Sequence, residues 1–198
     1  METKVNFLEQ RNNEWFFSMM GGSDKKLNPM GNIQLDHNQH TTNNIKYPLS
    51  ILAHDIAKPW NVGSIFRIAD AFGIEKIYLS GSSPVPPNDK IRKTSRATDT
   101  KVPYNYEDNP IDLVVRLKSE GYTILSLEIT SSSIDIGKLS ISKNEKILLI
   151  LGSEKSGGSQ DLLNISDKTV HIPMAGINSS MNVAVACGIA CWEIIREK

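Results

Sequence analysis

The chain has 198 residues, of which 39% are hydrophobic and 22% charged, and its formal net charge at pH 7 is zero. This length suits one globular domain with a small appendage, and no apolar stretch approaches the roughly 20 residues that a membrane helix needs. Because the N-terminus lacks the basic and then apolar order of a secretion signal, we expect a cytoplasmic enzyme with no membrane partner. The zero net charge favours a small-molecule substrate, and it requires that any nucleic-acid contact be local.

Residues 1–46 differ in composition from the rest of the chain. Apolar residues fall at helical spacing as far as two consecutive glycines, and the remainder of the segment is polar and rich in Asn. We predict an N-terminal extension here, made of a short helix and a polar linker. His37 and His40 lie in the linker, where solvated side chains are a simpler interpretation than a metal site. The main domain is predicted to span residues 47–198.

From residue 47 onward, strand and helix patterns alternate along the chain. Short apolar runs predict strands at 49–53, 76–79, 122–127, 146–151 and 170–172. Helical patterns occupy 60–72, 111–118 and 180–196. This order predicts an α/β fold, in which a parallel sheet carries helices on both faces. Ligands of such sheets lie beyond the carboxyl ends of the strands, so the informative loops are those that follow Leu52, Leu127, Leu151 and Ile172.

The first segment of interest is PWNVGSIFR at residues 59–67, where the first helix of the main domain begins. Asn61 is placed to cap this helix. Arg67 lies six residues later, so its long side chain can reach back toward the same end. An ion pair between Arg67 and a surface carboxylate explains this segment equally well.

The second and third segments also follow predicted strands. The turn GSEKSGGS at residues 152–159 is rich in glycine, which lets a backbone approach a ligand closely. It lacks the Lys of a phosphate-binding P-loop and contains Glu154, which disfavours a nucleotide-phosphate enzyme. Residues 172–183 lead into the last helix, which Ser180 or Asn182 starts, and helix capping alone would explain both residues.

Cys187 and Cys191 lie four residues apart in the apolar last helix. Such a pair is typical of buried thiols in a reducing compartment. A zinc site would need two further ligands, and none lie near in the sequence. We therefore expect no metal.

In combination and in order, the three segments resemble the motifs of the SpoU (TrmH-like) branch of the SPOUT RNA 2′-O-ribose methyltransferases. The matching features are Asn-x5-Arg, then a strand running into Gly-Ser-Glu-x2-Gly, then Ile-Pro-Met ahead of Ser-Met-Asn-Val, within residues 47–193. The resemblance implies a C-terminal trefoil knot, S-adenosylmethionine as cofactor, and a homodimer formed through the first and last helices. It implies that the cofactor is contacted at Leu127, Gly152, Ile172 and Met181, with Gly152 permitting close approach.

The resemblance also implies a reaction, the transfer of a methyl group to a ribose 2′-hydroxyl of tRNA or rRNA. By motif match Arg67 lies at this hydroxyl. Because a guanidinium has a pKa above about 12, we expect Arg67 to bind RNA phosphate and stabilise the developing alkoxide rather than act as a base. The other polar motif residues are expected to hold Arg67, the loops and the ribose: Asn61, Glu154, Ser180 and Asn182.

A basic stretch at residues 88–101 follows a Pro-rich loop and is the candidate RNA contact. Runs of charge are often only solvated surface, but this one lies at the ligand end of the predicted sheet, which favours contacts to RNA phosphates. Its cations are Lys90, Arg92, Lys93, Arg96 and Lys101.

Three other functions remain open on the sequence. A catalytically inactive RNA-binding module on the same fold is disfavoured by the complete set of polar motif residues. A small-molecule or peptide methyltransferase is disfavoured by the basic stretch, although the zero net charge favours it. A nucleotide-phosphate enzyme is disfavoured by the missing Lys in the 152–159 turn.

Overall fold

The computed structural model describes residues 44–196, so residues 1–43 of the predicted N-terminal extension lie outside the described part. Strands β1–β7 span Tyr47–His54, Ile74–Ser80, Tyr104–Glu107, Tyr122–Leu127, Ile134–Asp135, Lys146–Leu151 and Lys168–His171. Helices α1–α5 span Pro59–Ala71, Asp89–Ser95, Pro110–Ser119, Gln160–Ile165 and Val183–Arg196. None of these helices has the length and apolar character needed to cross a membrane.

The strands form one parallel sheet with the order β3-β2-β1-β6-β4-β7-β5. Its register brings the ends of the central strands level. Ala53 of β1 pairs with Leu151 of β6, Leu151 pairs with Leu127 of β4, and Leu127 pairs with Val170 of β7. The loops that follow these strands therefore start side by side at one edge. The predicted α/β fold with a parallel sheet is confirmed, and the trefoil knot stays a prediction.

An apolar core on each face of the sheet holds the helices in place. In β1, Ile51 and Ala53 pack in the core that contains residues of α1, α2 and α5, while Leu52 packs with α3 and α4 on the opposite face. All three side chains are fully buried. Strands covered on both faces need apolar residues at successive positions, which is why β1 has an unbroken apolar run at 51–53 and β6 one at 147–151.

Cys187 and Cys191 lie in α5 and belong to the core to which α1 also contributes. Both are fully buried, and their sulfur atoms lie 3.9 Å apart. The neighbouring Cys187 thiol, together with burial, raises the pKa of Cys191 well above its usual range, so Cys191 is a neutral thiol at pH 7. The prediction of buried core thiols is confirmed.

The strands β4 and β6 begin and end where the sequence predicts, but α2, α4, β3 and β5 are not predicted. Helix α2 lies inside the basic stretch 88–101. Its N-cap residue Asn88 accepts hydrogen bonds at Oδ1 from the backbone N–H groups of Lys90 (3.0 Å) and Ile91 (3.3 Å). Only Ile91 and Ser95 of this helix are buried, which is too few apolar positions to produce a recognisable period.

Candidate active site

A cleft of about 480 Å³ lies at the edge of the sheet where β4, β6 and β7 end. Its walls are the loops that follow these strands and the segment that leads into α5. A cleft of this size is typical of small-molecule sites, which range from about 300 to 1,000 Å³. The four predicted cofactor contacts all line it: Leu127, Gly152, Ile172 and Met181.

The cleft lining combines apolar side chains with charged and polar groups. Its apolar members include Leu127, Leu151, Ile172 and Val183. Its polar members include Glu128, Ser153, Glu154, Lys155, His171 and Ser180. A lining of this kind fits a ligand that has a flat apolar ring at one end and charged groups at the other.

Polar residues from the three motif segments form one chain of hydrogen bonds next to the cleft. Asn61 in α1 donates from Nδ2 to Oε1 of Glu154 (2.7 Å), and its Oδ1 accepts from Nδ2 of Asn182 (3.0 Å). Oε2 of Glu154 accepts the backbone N–H of Ala57 (2.9 Å). Asn61 is only 3% exposed, so the central residue of the chain is shielded from water. These bonds hold the start of α1, the 152–159 loop and the start of α5 together.

The prediction that Asn61 caps α1 is wrong. The helix begins at Pro59, whose fixed φ suits the first helical position, and Lys58 occupies the N-cap position. Asn61 therefore lies within the first turn, and its side chain is directed to Glu154 instead of to the backbone of its own helix.

Asn182, by contrast, caps α5. Its Oδ1 accepts the backbone N–H groups of Ala184 (3.0 Å) and Val185 (3.2 Å). One amide side chain thus serves both as a helix cap and as a donor to Asn61. Ser180 lies exposed in the cleft lining and takes part in no hydrogen bond with the described residues.

Glu154 is an anion at neutral pH. Burial raises the pKa of its carboxyl, but hydrogen bonds from the Asn61 side chain and from nearby backbone N–H groups outweigh burial and bring the pKa below its ordinary value of 4.5. An ionised carboxylate with both oxygens engaged serves as an anchor for these donors. It is not poised to exchange protons near pH 7.

Arg67 lies on the exposed side of α1, outside both the hydrogen-bond chain and the cleft lining. Within residues 44–196 it takes part in no hydrogen bond or ion pair. The structure therefore shows neither the predicted reach back toward the start of the helix nor the alternative surface ion pair. Its guanidinium therefore has no charged or hydrogen-bonding partner within the part of the chain that the structure describes.

The loop of residues 152–159 is closed by its own backbone. Ser153 and Gly157 exchange hydrogen bonds, from Ser153 N to Gly157 O (2.9 Å) and from Gly157 N to Ser153 O (3.0 Å). A Cβ atom at Gly152 would lie 2.5 Å from the backbone N of Gly158 and 2.6 Å from the carbonyl of Gly157. Closure of the loop therefore requires glycine at 152. That glycine at 152 also permits close approach of the cofactor stays a prediction.

Two polar residues in the cleft lining, Glu128 and His171, are not singled out by the sequence motifs. Glu128 directly follows β4, and His171 ends β7 with its Nδ1 3.0 Å from Oγ of Ser133. Both occupy the carboxyl edge of the sheet, where ligands bind. Their position at strand ends, rather than any motif, is the sequence signal that could have identified them.

Four of the five cations of the basic stretch lie on α2 or directly after it, and all four are exposed: Lys90, Arg92, Lys93 and Arg96. Arg92 differs from the others, because its Nε lies 3.4 Å from Oδ2 of Asp99, whose side chain is only 3% exposed. The other oxygen of Asp99 accepts the Ser95 hydroxyl at 2.6 Å. Arg92 thus neutralises a buried carboxylate. The remaining three cations form no ion pair within the described residues.

The parallel sheet and the cleft at its carboxyl edge define an α/β protein with a ligand site at the strand ends. Residues 48–192 match the family model described as the SpoU rRNA Methylase family. The chain belongs to this family, which confirms the resemblance read from its motifs.

Named relatives agree with this assignment. Over 153 residues, 76% of this chain, it is 29% identical to the tRNA (guanosine(18)-2′-O)-methyltransferase of Escherichia coli strain K12, and it spans 64% of that protein. It is 31% identical over 173 residues to the 23S rRNA (guanosine-2′-O-)-methyltransferase RlmB of Blochmanniella floridana, covering 86% of this chain and 66% of that one. The matched part of the chain thus spans about two thirds of the length of these curated relatives.

Solved structures show the same fold. The TrmH/SpoU tRNA modifying enzyme of A. aeolicus superposes with a TM-score of 0.69 at 26% identity, covering 77% of this chain and 76% of that one. The SpoU methyltransferase AviRb from Streptomyces viridochromogenes, in complex with the cofactor AdoMet, gives a TM-score of 0.68 at 27% identity, covering 77% and 62%.

Proposed function

We propose that this chain is an RNA methyltransferase that uses S-adenosylmethionine to methylate a ribose 2′-hydroxyl of tRNA or rRNA. The observation that carries the proposal is the hydrogen-bond chain from Asn182 through Asn61 to Glu154, which joins the three motif segments next to the cleft. The relatives named as tRNA and rRNA guanosine 2′-O-methyltransferases support ribose methylation.

The cleft fits S-adenosylmethionine in size and in the chemistry of its lining. Leu127 and Ile172 offer apolar side chains to the adenine ring, and the loop backbones offer hydrogen-bonding groups. Lys155 supplies a cation suited to the carboxylate of the amino-acid end. When bound, the cofactor supplies an electrophilic methyl group. The AdoMet complex of AviRb, a protein of the same fold, supports this cofactor.

The chain's own residues act by positioning and by electrostatic stabilisation. Glu154 and Asn61 hold the loops in register with α1. We assign Arg67 to the RNA phosphate beside the target ribose, where its charge would stabilise the 2′-oxygen as it loses its proton to phosphate or water. Correct alignment of two reactants can contribute on the order of 7–11 kcal/mol.

A homodimer is part of this proposal. Val185, Ile189 and Trp192 lie along one side of α5 with 55%, 40% and 56% of their surface exposed, and Trp60 on α1 is 49% exposed. The two helices pack together, and the Trp192 ring lies 6.1 Å from that of Phe72, which follows α1. Exposed apolar side chains on adjoining helices are typical of an interface. A second copy that covers these side chains would also lie next to α1. The exposed guanidinium of Arg67 on α1 would then be close to the partner subunit.

For RNA binding we assign the exposed cations Lys90, Lys93 and Arg96, which follow the ligand edge of the sheet. Arg92 contributes mainly to the folding of this segment, because it neutralises Asp99. The methyltransferase domain is proposed to span residues 47–198. The N-terminal extension and the cytoplasmic location stay predictions.

The proposal is tested with RNA from cells that lack the gene. The protein is incubated with methyl-labelled S-adenosylmethionine and with total tRNA or rRNA, and mass spectrometry locates the methyl group. We expect a 2′-O-methylated nucleotide, and calorimetry should show binding of S-adenosylmethionine but not of ATP. Methylation of a base would refute ribose chemistry. RNA binding without any methyl transfer would identify an inactive binding module instead.

A further inference from the structure

Glu128 occupies a junction between two walls of the cleft. It directly follows β4, and its backbone N–H donates to the carbonyl of Val170 in β7 at 2.9 Å. This bond fixes its backbone to the sheet. Glu128 also lines the cleft.

The carboxylate of Glu128 binds two backbone N–H groups. Oε1 accepts from Ile129 at 2.9 Å, within its own loop, and Oε2 accepts from Gly158 at 2.8 Å, in the 152–159 loop. Hydrogen bonds to an ionised acceptor are roughly twice as strong as neutral ones. One side chain therefore ties the loop after β4 to the loop after β6.

Gly157 gives the carboxylate the room that this bond needs. A Cβ atom at Gly157 would lie 2.7 Å from Oε2 of Glu128, and the residue has a φ of +70°. Glycine adopts this conformation without strain and leaves the space open. The loop is thus shaped to receive the carboxylate.

The 152–159 loop is consequently held from two directions. Glu154 extends out of the loop to Ala57 and Asn61, and Glu128 enters the loop from β4. Gly152 and Ser153, at the base of the same loop, line the cleft. A loop anchored at both sides presents its backbone groups to a ligand in a preformed arrangement, which reduces the ordering cost of binding.

We propose that Glu128 is a positioning residue that holds the 152–159 loop in the shape that binds the cofactor. This inference rests on the proposed function. Gln at 128 keeps the size of the side chain but loses the charge and one acceptor, so one of the two N–H groups loses its partner. Loss of such a bond corresponds to a roughly tenfold weaker affinity.

The test compares the wild type with Glu128→Gln by calorimetry and by steady-state kinetics. We expect the Kd and KM for S-adenosylmethionine to rise about tenfold, with one site per chain and kcat at saturating cofactor within about threefold. The Kd for S-adenosylhomocysteine should rise by the same factor, because both ligands contact the same loop. An unchanged Kd overturns the proposal, and so does a loss confined to the positively charged S-adenosylmethionine, which would indicate a direct charge effect.

Glu145→Gln is the matched control. Glu145 also accepts from a loop backbone N–H, that of Ser142 (2.9 Å), and from the Thr123 hydroxyl (2.7 Å), but it lies at the opposite end of β6. If both variants lower thermal stability equally and neither changes the Kd, Glu128 has only a structural role and the proposal is wrong. A wild-type protein that binds no S-adenosylmethionine would instead refute the proposed function itself.

Discussion

Replacing Asn61 with Ala breaks the hydrogen-bond chain at its centre. The change removes a bond to the ionised Glu154, for which about 1.5–3 kcal/mol is typical, and a bond to Asn182 that contributes about 1 kcal/mol. We expect the free energy of unfolding at pH 7 to fall by about 2–4 kcal/mol. Methyl transfer should fall at least about tenfold, because the loops lose their common anchor. The free energy of unfolding is measured by urea unfolding followed by circular dichroism.

The difference in unfolding free energy between wild type and Asn61→Ala should depend on pH, which gives an independent check. The folded-state pKa of Glu154 is lowered, so its contribution to stability is complete above the ordinary value of 4.5 and is lost as pH falls through the folded pKa. Asn61 is the principal cause of the lowering. The difference in unfolding free energy between wild type and Asn61→Ala should therefore be constant between about pH 5 and 7 and shrink below that range.

Ser64→Ala is the control on the same helix. Among the described residues, the Ser64 hydroxyl donates to the Trp60 carbonyl one turn earlier, at 2.9 Å on the exposed side. Loss of this bond should cost less than about 0.5 kcal/mol. If Asn61→Ala were no more destabilising than Ser64→Ala, the hydrogen-bond chain would not be what holds the loops. A difference that persists unchanged to pH 3 would show that Glu154 is not its charged partner.

Three further outcomes follow from the site. Lys93→Glu should raise the KM for RNA and lower the salt dependence of that KM without affecting stability. Arg92→Glu should destabilise the fold, because it places a second carboxylate against Asp99, and thermal unfolding measures this loss. Arg67→Ala should lower kcat by about two to four orders of magnitude with cofactor affinity unchanged, and Arg67→Lys should recover little, in single-turnover assays. Ile189→Asp should yield a monomer of reduced activity in sedimentation experiments, and an unaltered dimer would exclude α5 from the interface.

The strands at the centre of the sheet could be predicted from the sequence because they are buried on both faces. Residues 122–127 and 146–151 are short apolar runs bounded by glycine or polar residues, and the structure has β4 and β6 over the same residues. The edge strand Tyr104–Glu107 has two exposed residues at its centre. It carries no such run, so its pairing with β2 could not be read from its composition.

The members of the site could be predicted more readily than the contacts between them. The motif resemblance selects Asn61, Glu154 and Asn182, and all three do come together. Helix capping suggested a local role for Asn61, but the actual partner lies 93 residues away. Local rules describe bonds within a few residues, whereas the register of the sheet decides which loops meet. Glu128 illustrates the same limit, since its acceptor role depends on a glycine 30 residues later.

Asn61 is hydrogen-bonded to both Glu154 and Asn182, so we expect that these three residues do not act independently. Asn182 contacts Asn61 and caps α5, and the segment before it lines the cleft. Asn182→Ala should therefore weaken cofactor binding although no cofactor contact is assigned to Asn182. Because residues in one network show non-additive effects, the double variant with Asn61→Ala should lose little more affinity than Asn61→Ala alone. Fully additive losses in calorimetry would mean that α5 and α1 shape the cleft separately.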